Sequence, residues 1–478
     1  MHLLCPAGLA LALVAPASAA TSTPAPSTPE AQATSTDIKA IRQEMDAMRT
    51  AYEARLQALE ARLKAAEAAA AAPPPAATAV VPAPVAPVAA APAPAPAPTA
   101  VANAGGNTFN PAISLILSGQ YVRLSQDPAD FAITGFQLPA DAELGPGERG
   151  FGLGETELRL SASIDPWLRG DVTLAIAEDG VEVEEAFVET TALDYGFTLR
   201  GGRFFSGIGY LNPQHAHSWD FVDNPLAYQA LLGTQHGNDG LRLTWLAPTD
   251  QYIELTAEIG RGDSFPGGGN GGHGVGTWSL GAHTGGDMGD SHSWRAGVSM
   301  LRAKAWDQEL AAIDVNGTAV TNTFTGKGRV WVADAVWKWA PNGNATRTNF
   351  KLQGEYLRST RSGDLVYDLD GANSVGAYRA TQSGWYLQGI YQFMPRWRVG
   401  LRTEQLDAGS PDYGVNAAIL AGTGYQPRKN TLMLDFSPSE FSRFRLQFGQ
   451  DRSREGVTDN QIFLQYQMSL GAHGAHGF

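Results

Sequence analysis

From residue 107 onward the chain repeats one pattern: about ten residues alternating between apolar and polar, a break, then about ten more. The stretch 153–176, LGETELRLSASIDPWLRGDVTLAI, shows it twice around the Asp165-Pro166 turn. Before the turn Leu158, Leu160, Ala162 and Ile164 alternate with Glu157, Arg159, Ser161 and Ser163; after it Leu168, Val172, Leu174 and Ile176 alternate with Arg169, Asp171 and Thr173. Period two is the signature of strands with one apolar and one polar face. One hairpin cannot say which face looks inward.

The repetition can. Candidate strands fall at 113–124, 153–164, 167–177, 182–191, 197–204, 240–247, 252–261 and 275–284. Eight more fall at 293–302, 329–339, 348–358, 384–394, 396–406, 429–437, 442–452 and 460–470. About ten residues suffice for a tilted strand to cross a bilayer, and an even number lets antiparallel strands close. Short connections (165–166, 193–196, 247–251, 395, 437–440) alternate with long ones (125–152, 205–239, 303–328, 359–383, 407–428). Trp167, Tyr195, Trp245, Tyr252, Trp294, Trp339, Trp397, Phe436 and Phe441 all lie at or beside short turns. Amphipathic rings at one height form an interfacial girdle, so the apolar faces are expected to meet lipid and the charged faces a wet lumen. The expected fold class is all-β: a 16-stranded antiparallel transmembrane β-barrel over 107–478.

The preceding region is different in kind. Residues 1–20 read as a signal peptide, with an apolar run from Leu9 to Val14 ahead of Ala17-Ser18-Ala19. Within 38–69, Ile38, Ile41, Met45, Met48, Tyr52, Leu56, Leu59 and Leu63 mark a short coiled coil, whose isoleucines lean towards three strands over two. Residues 70–106 are an Ala/Pro linker that buries no core. The single cysteine, Cys5, falls in the leader, so exported chains would carry no disulfide or cysteine chemistry. A net charge of −14 gives no signature of nucleic-acid binding.

A leader, a coiled coil, an Ala/Pro spacer and a sixteen-strand barrel ending in Phe478 together resemble Gram-negative outer-membrane porins, particularly phosphate-selective and sucrose-type porins with an N-terminal coiled coil. That resemblance implies passive diffusion of small hydrophilic solutes or ions, a homotrimer in outer-membrane lipid, a coiled coil in the periplasm, and delivery by the barrel-assembly machinery. QHAHSWDFVDNPLAYQALLG, WLAPTD and SLGAHGAHGF also resemble outer-membrane receptor-like proteins described as zinc-regulated or TonB-dependent. The chain departs from true TonB-dependent receptors, having neither a plug region ahead of the barrel nor enough strands for a plugged lumen.

Two groups of residues carry candidate chemistry. The polar faces place Lys351, Arg396, Arg398, Arg402, Arg443 and Arg445 on late strands and Glu155, Glu157, Glu254 and Glu258 on early ones. Facing walls of opposite sign would create a transverse field favouring anions along one side; the alternative is that these charges only solvate and pair. The connection 205–239 carries His215, His217 and His236 with Asp220. His-x-His puts two imidazoles on one side of an extended segment, and His236 or Asp220 could complete a Zn2+ shell. The second functional expectation is therefore a channel or receptor for zinc or another divalent metal; Trp219 and Phe221 argue instead for a packed loop. No cofactor is otherwise required. H-E-x-x-H, G-x-S-x-G and phosphate-cradling loops are absent, and no enzyme is expected.

Overall fold

The protein is described by a computed structural model covering residues 111–471, apart from 141, 178–179 and 270–273. The leader, coiled coil and linker expected over 1–20, 38–69 and 70–106 lie outside the described residues.

Sixteen antiparallel strands form the wall. They are β1 Ala112–Leu124, β2 in two pieces (Gly150–Leu153 and Thr156–Ser163), β3 Leu168–Ile176, β4 Val181–Thr190, β5 Phe197–Phe205, β6 Gly237–Leu246, β7 Tyr252–Gly260 and β8 Thr277–Met288. The second half is β9 His292–Ile313, β10 Ala319–Trp339, β11 Asn349–Tyr367, β12 Ser374–Met394, β13 Trp397–Asp407, β14 Arg428–Ser439, β15 Ser442–Arg452 and β16 Asp459–Gly471. Each strand pairs with its sequence neighbours, and β1 closes on β16 from Ser114 opposite Gly471 to Leu124 opposite Gln461. Closure leaves no open edge, which is what a sheet in hydrocarbon requires. Two-residue strands at Leu138–Pro139 and Gly268–Gly269 pair on to β9 from the loops.

The polarity of the wall is inside-out. On β14, Lys429, Thr431, Met433 and Asp435 are buried towards the interior, whereas Leu432 and Leu434 are exposed. On β15, Arg445, Gln447 and Asp451 are inside with Leu446 and Phe448 outside; on β16, Gln461 and Gln465 are inside with Ile462 and Leu464 outside. Trp167 and Tyr195 stand exposed at the short turns, and Trp397 stacks on Phe436 with centroids 4.6 Å apart.

Two expectations need correction. The connections 303–328 and 359–383 are mostly strand: β9 to β12 run 22, 21, 19 and 21 residues, joined at the long-loop end by tight turns. Beyond the apolar band their polarity inverts. Lys304, Glu309, Lys327, Arg358 and Arg379 now face outward, while Ala305, Leu310, Phe324, Leu365 and Tyr378 are buried inside. On β9 the inversion is already in place at Leu301 and Arg302, ahead of the register shift between Ala305 and Gln308. Above the lipid the outer face meets water, so the ordinary rule of apolar inside returns.

Nor is the lumen wet across its full width. The segment 206–236 folds into the barrel and carries helix α1, Leu226–Leu232, every residue of which is buried. Leu226, Tyr228 and Leu231 pack with Leu301, Val330, Val332, Leu357 and Tyr386 into a core inside the barrel. That core fills the β9–β13 side. Open space remains along β1, β2, β4 and β16.

Candidate functional site: a partitioned lumen

The inward segment is held at three places. At its base, Glu258 of β7 accepts from Gly207 N (2.8 Å) and Ser206 Oγ (2.5 Å), and is paired with Arg242 at 2.6 Å. In the middle, the buried Glu355 of β11 accepts from Leu211 N (2.9 Å), Tyr228 Oη (2.8 Å) and Tyr386 Oη (2.6 Å). Gly209 makes this approach possible: its φ is +67°, and a Cβ there would lie 2.4 Å from a Glu355 carboxylate oxygen.

The third attachment uses the arginine wall. Asp220 pairs with Lys351 at 2.5 Å and Arg398 at 3.3 Å; Asp223 pairs with Lys429 at 2.6 Å and Arg402 at 2.9 Å. Arg443 donates to the His217 carbonyl (2.9 Å) and Arg445 to the Trp219 carbonyl (2.8 Å). Arg398 and Arg445 also share Asp435. Burial opposes ionisation of Asp220 and Asp223, but the facing cations outweigh it and hold both carboxyls far below the usual carboxylate range. The loop is therefore seated by buried, hydrogen-bonded ion pairs, the kind that resist breaking.

This placement separates the expected site residues into different roles. Arg398, Arg402, Arg443, Arg445 and Lys351 face inward as expected, yet each is engaged with the loop. Arg396 lies at a turn and lines the cavity at the short-turn end. Glu254 lies 3.7 Å from Arg295 and 3.6 Å from His283. Glu258 anchors the loop base. The expected metal set of His215, His217, His236 and Asp220 does not assemble. Asp220 is committed to Lys351 and Arg398, and His236, wholly buried, directs Nδ1 at the Phe265 carbonyl 3.0 Å away.

His215 and His217 do come together, stacked with ring centroids 5.8 Å apart, but against glutamates of β2 and β4. His215 Nδ1 is 3.0 Å from Glu184 and Nε2 is 3.0 Å from Glu185; His217 Nδ1 is 2.7 Å from Glu157. Burial disfavours charge on His215, but its hydrogen bonds to Glu184 and Glu185 and the charge of Glu157 raise its pKa well above the ordinary imidazole value. Burial, with the neighbouring His215 charge, lowers His217 to about 4. Glu184 and Glu185 sit on a strand with no local motif, and only the partner histidines 30 residues later distinguish them.

On either side of this crossing lies a cavity. The one at the long-loop end has a volume of about 750 Å³ and is lined by Glu143, Glu155, Glu182, Glu184, Asp223, Asp239 and Asp263 against, among the described residues, Arg203. The one at the short-turn end, about 730 Å³, is lined by Arg159, Arg295, Lys338, Lys351, Arg396, Arg398 and Arg443 against Glu157, Asp220 and Glu440. His217 and Gln467 line both, so the two chambers meet there. The lumen holds two vestibules of opposite charge that lie on either side of His217 and Gln467.

The chain is 30% identical over 395 residues to an uncharacterized protein of Aquifex aeolicus, an alignment covering 77% of this chain and 80% of that protein. No family model matches it. In architecture it is similar to the in-vitro folded outer membrane protein OmpT of Vibrio cholerae (10% identity, TM-score 0.44, 76% of this chain and 98% of that one). It is likewise similar to the outer membrane channel DcaP of Acinetobacter baumannii (12%, 0.44, 76% and 97%) and to an anion-selective porin from Comamonas acidovorans (12%, 0.45, 76% and 100%).

Proposed function

The chain belongs to the family of the Aquifex aeolicus protein, and we propose that it acts as a porin-type outer-membrane channel for passive diffusion of small hydrophilic solutes. One observation carries this reading: a closed barrel with an apolar exterior encloses two polar chambers that meet at His217 and Gln467. An apolar outer band demands a bilayer, and adjacent polar chambers through its thickness are the proposed path for water and ions. The engaged arginines change the selectivity expected from sequence. Their charge is largely offset by Asp220, Asp223 and Asp435, leaving anions favoured in the inner chamber and cations in the outer one.

The test is electrical. Purified protein reconstituted in a planar bilayer should give discrete, ohmic steps at high salt, small for a sixteen-strand barrel because loop 206–236 occupies the β9–β13 side. Protein that inserts and yields no steps would overturn the channel reading.

A further inference from the structure

We propose that the crossing between the chambers is a binding site for a first-row divalent transition-metal cation, held by Glu155, Glu157, Glu184 and His215. One ligand atom from each of these four lies within 4.8 Å of every other. Metal–ligand bonds of ~2.1 Å put neighbouring ligand atoms roughly 3.0–3.4 Å apart, so small side-chain rotations close the shell.

Two observations point to a missing cation. The carboxylates converge on the imidazoles: Glu157 lies 3.4 Å from His215 Nδ1 and 2.7 Å from His217 Nδ1, and Glu184 lies 3.0 Å from His215 Nδ1. The charge is also unbalanced: Glu155, Glu157, Glu184 and Glu185 surround His215, whose imidazolium could offset one of them. Side-chain exposures of 3% for Glu157, 16% for Glu184 and 11% for Glu185 leave little water to screen the rest. Three carboxylates with one imidazole form a borderline donor set: the nitrogen favours Mn2+, Zn2+ or Ni2+ over Mg2+ and Ca2+.

The site also has entry paths. Glu155 and Glu184 line the outer chamber and Glu157 and His215 the inner one. The acidic outer chamber would concentrate cations beside it. The site rests on the proposed channel only for access, not for its ligands.

Calorimetry on the full-length protein in detergent, titrated with Mn2+, Zn2+ or Ni2+ and separately with Mg2+ and Ca2+, provides the test. One transition-metal equivalent per chain is expected, weakened at least about tenfold by Glu157→Gln with Glu184→Gln. These isosteric changes preserve loop packing; should that variant fail to fold, His215→Gln serves in its place. A control variant, His473→Ala with His476→Ala, removes the tail histidines and should bind as the parent does. Absence of uptake by the parent chain, or unchanged affinity in the glutamate variant, would overturn the site. Conductance recorded without added metal reports separately on the channel, so either reading can fail alone.

Discussion

At the scale of single residues, the inward loop is seated by Asp220, Asp223, Glu258 and Glu355, which pair with cations or accept from backbone amides. Asp223 is the most demanding case, serving Arg402, Lys429 and Gln447 while nearly excluded from solvent. Asp223→Asn should leave two buried cations undercompensated and weaken loop seating by about 3–5 kcal/mol. Proteinase K should then cut between residues 206 and 236 in the variant but not in the parent. The sign of the pH response follows from the same pairs. Asp220 and Asp223 have folded pKa values below their unfolded ones, so their contribution is present above the unfolded value and lost only as pH falls through the depressed one. Lowering pH from 7 to about 4, near the ordinary aspartate value, should leave the loop protease-resistant. Nicking at that pH would contradict the ion-pair seat. Gly209→Ala tests the Glu355 attachment, where a side chain in left-handed backbone should cost at least about 1–2 kcal/mol.

At the scale of elements, the segment 206–236 is a fixed partition. Its helix α1 supplies the apolar side of the lumen, and its stretch 215–223, opened by a 3-10 turn at Ala216–Ser218, supplies the polar crossing. Replacing residues 207–235 with a short Gly/Ser linker should let β1–β16 close as before, because that pairing involves no loop residue. The lumen would then be open, with conductance raised at least about twofold. An unchanged conductance would mean that ions already bypass the loop. The broken strand β2 belongs to the same design: between its pieces, Gly154 N bonds to the Ser118 carbonyl, and Glu155 projects from the break to accept from Ala216 N at 3.2 Å.

At the scale of the molecule, a negative chamber in series with a positive one should rectify current. With the long-loop side positive, cations from the acidic chamber and anions from the basic one are driven towards the crossing and accumulate; the opposite voltage depletes it. The asymmetry should be clear at about 0.1 M salt, where the Debye length of ~10 Å is comparable to the chambers, and fade near 1 M, where it is ~3 Å. Symmetric current at low salt would show that the chamber charges are neutralised. The coiled coil expected over 38–69 is proposed to reinforce a homotrimer. Deleting it should reduce the native mass without preventing barrel closure, and a monomeric mass both before and after deletion would sink that proposal.

Alternation was enough to determine the barrel, because in lipid every strand must present apolar side chains outward at period two and pair with both neighbours. The same rule explains where the sequence misled. Lys304 and Lys327 fall in the expected connection 303–328 because their strands continue past the bilayer with apolar residues now inward, and local pattern does not record where the lipid ends. The arginines of β13 and β15 were legible as inward-facing, but not as bound, since Asp220 and Asp223 lie more than 170 residues from Arg398 and Arg402. His215 and His217 were legible as a pair, yet their carboxylate partners come from β2 and β4 and not from the loop that carries them. Which face points inward is a local property of a strand; which charges meet there depends on how a 31-residue loop folds back across the barrel, and only the tertiary structure decides that.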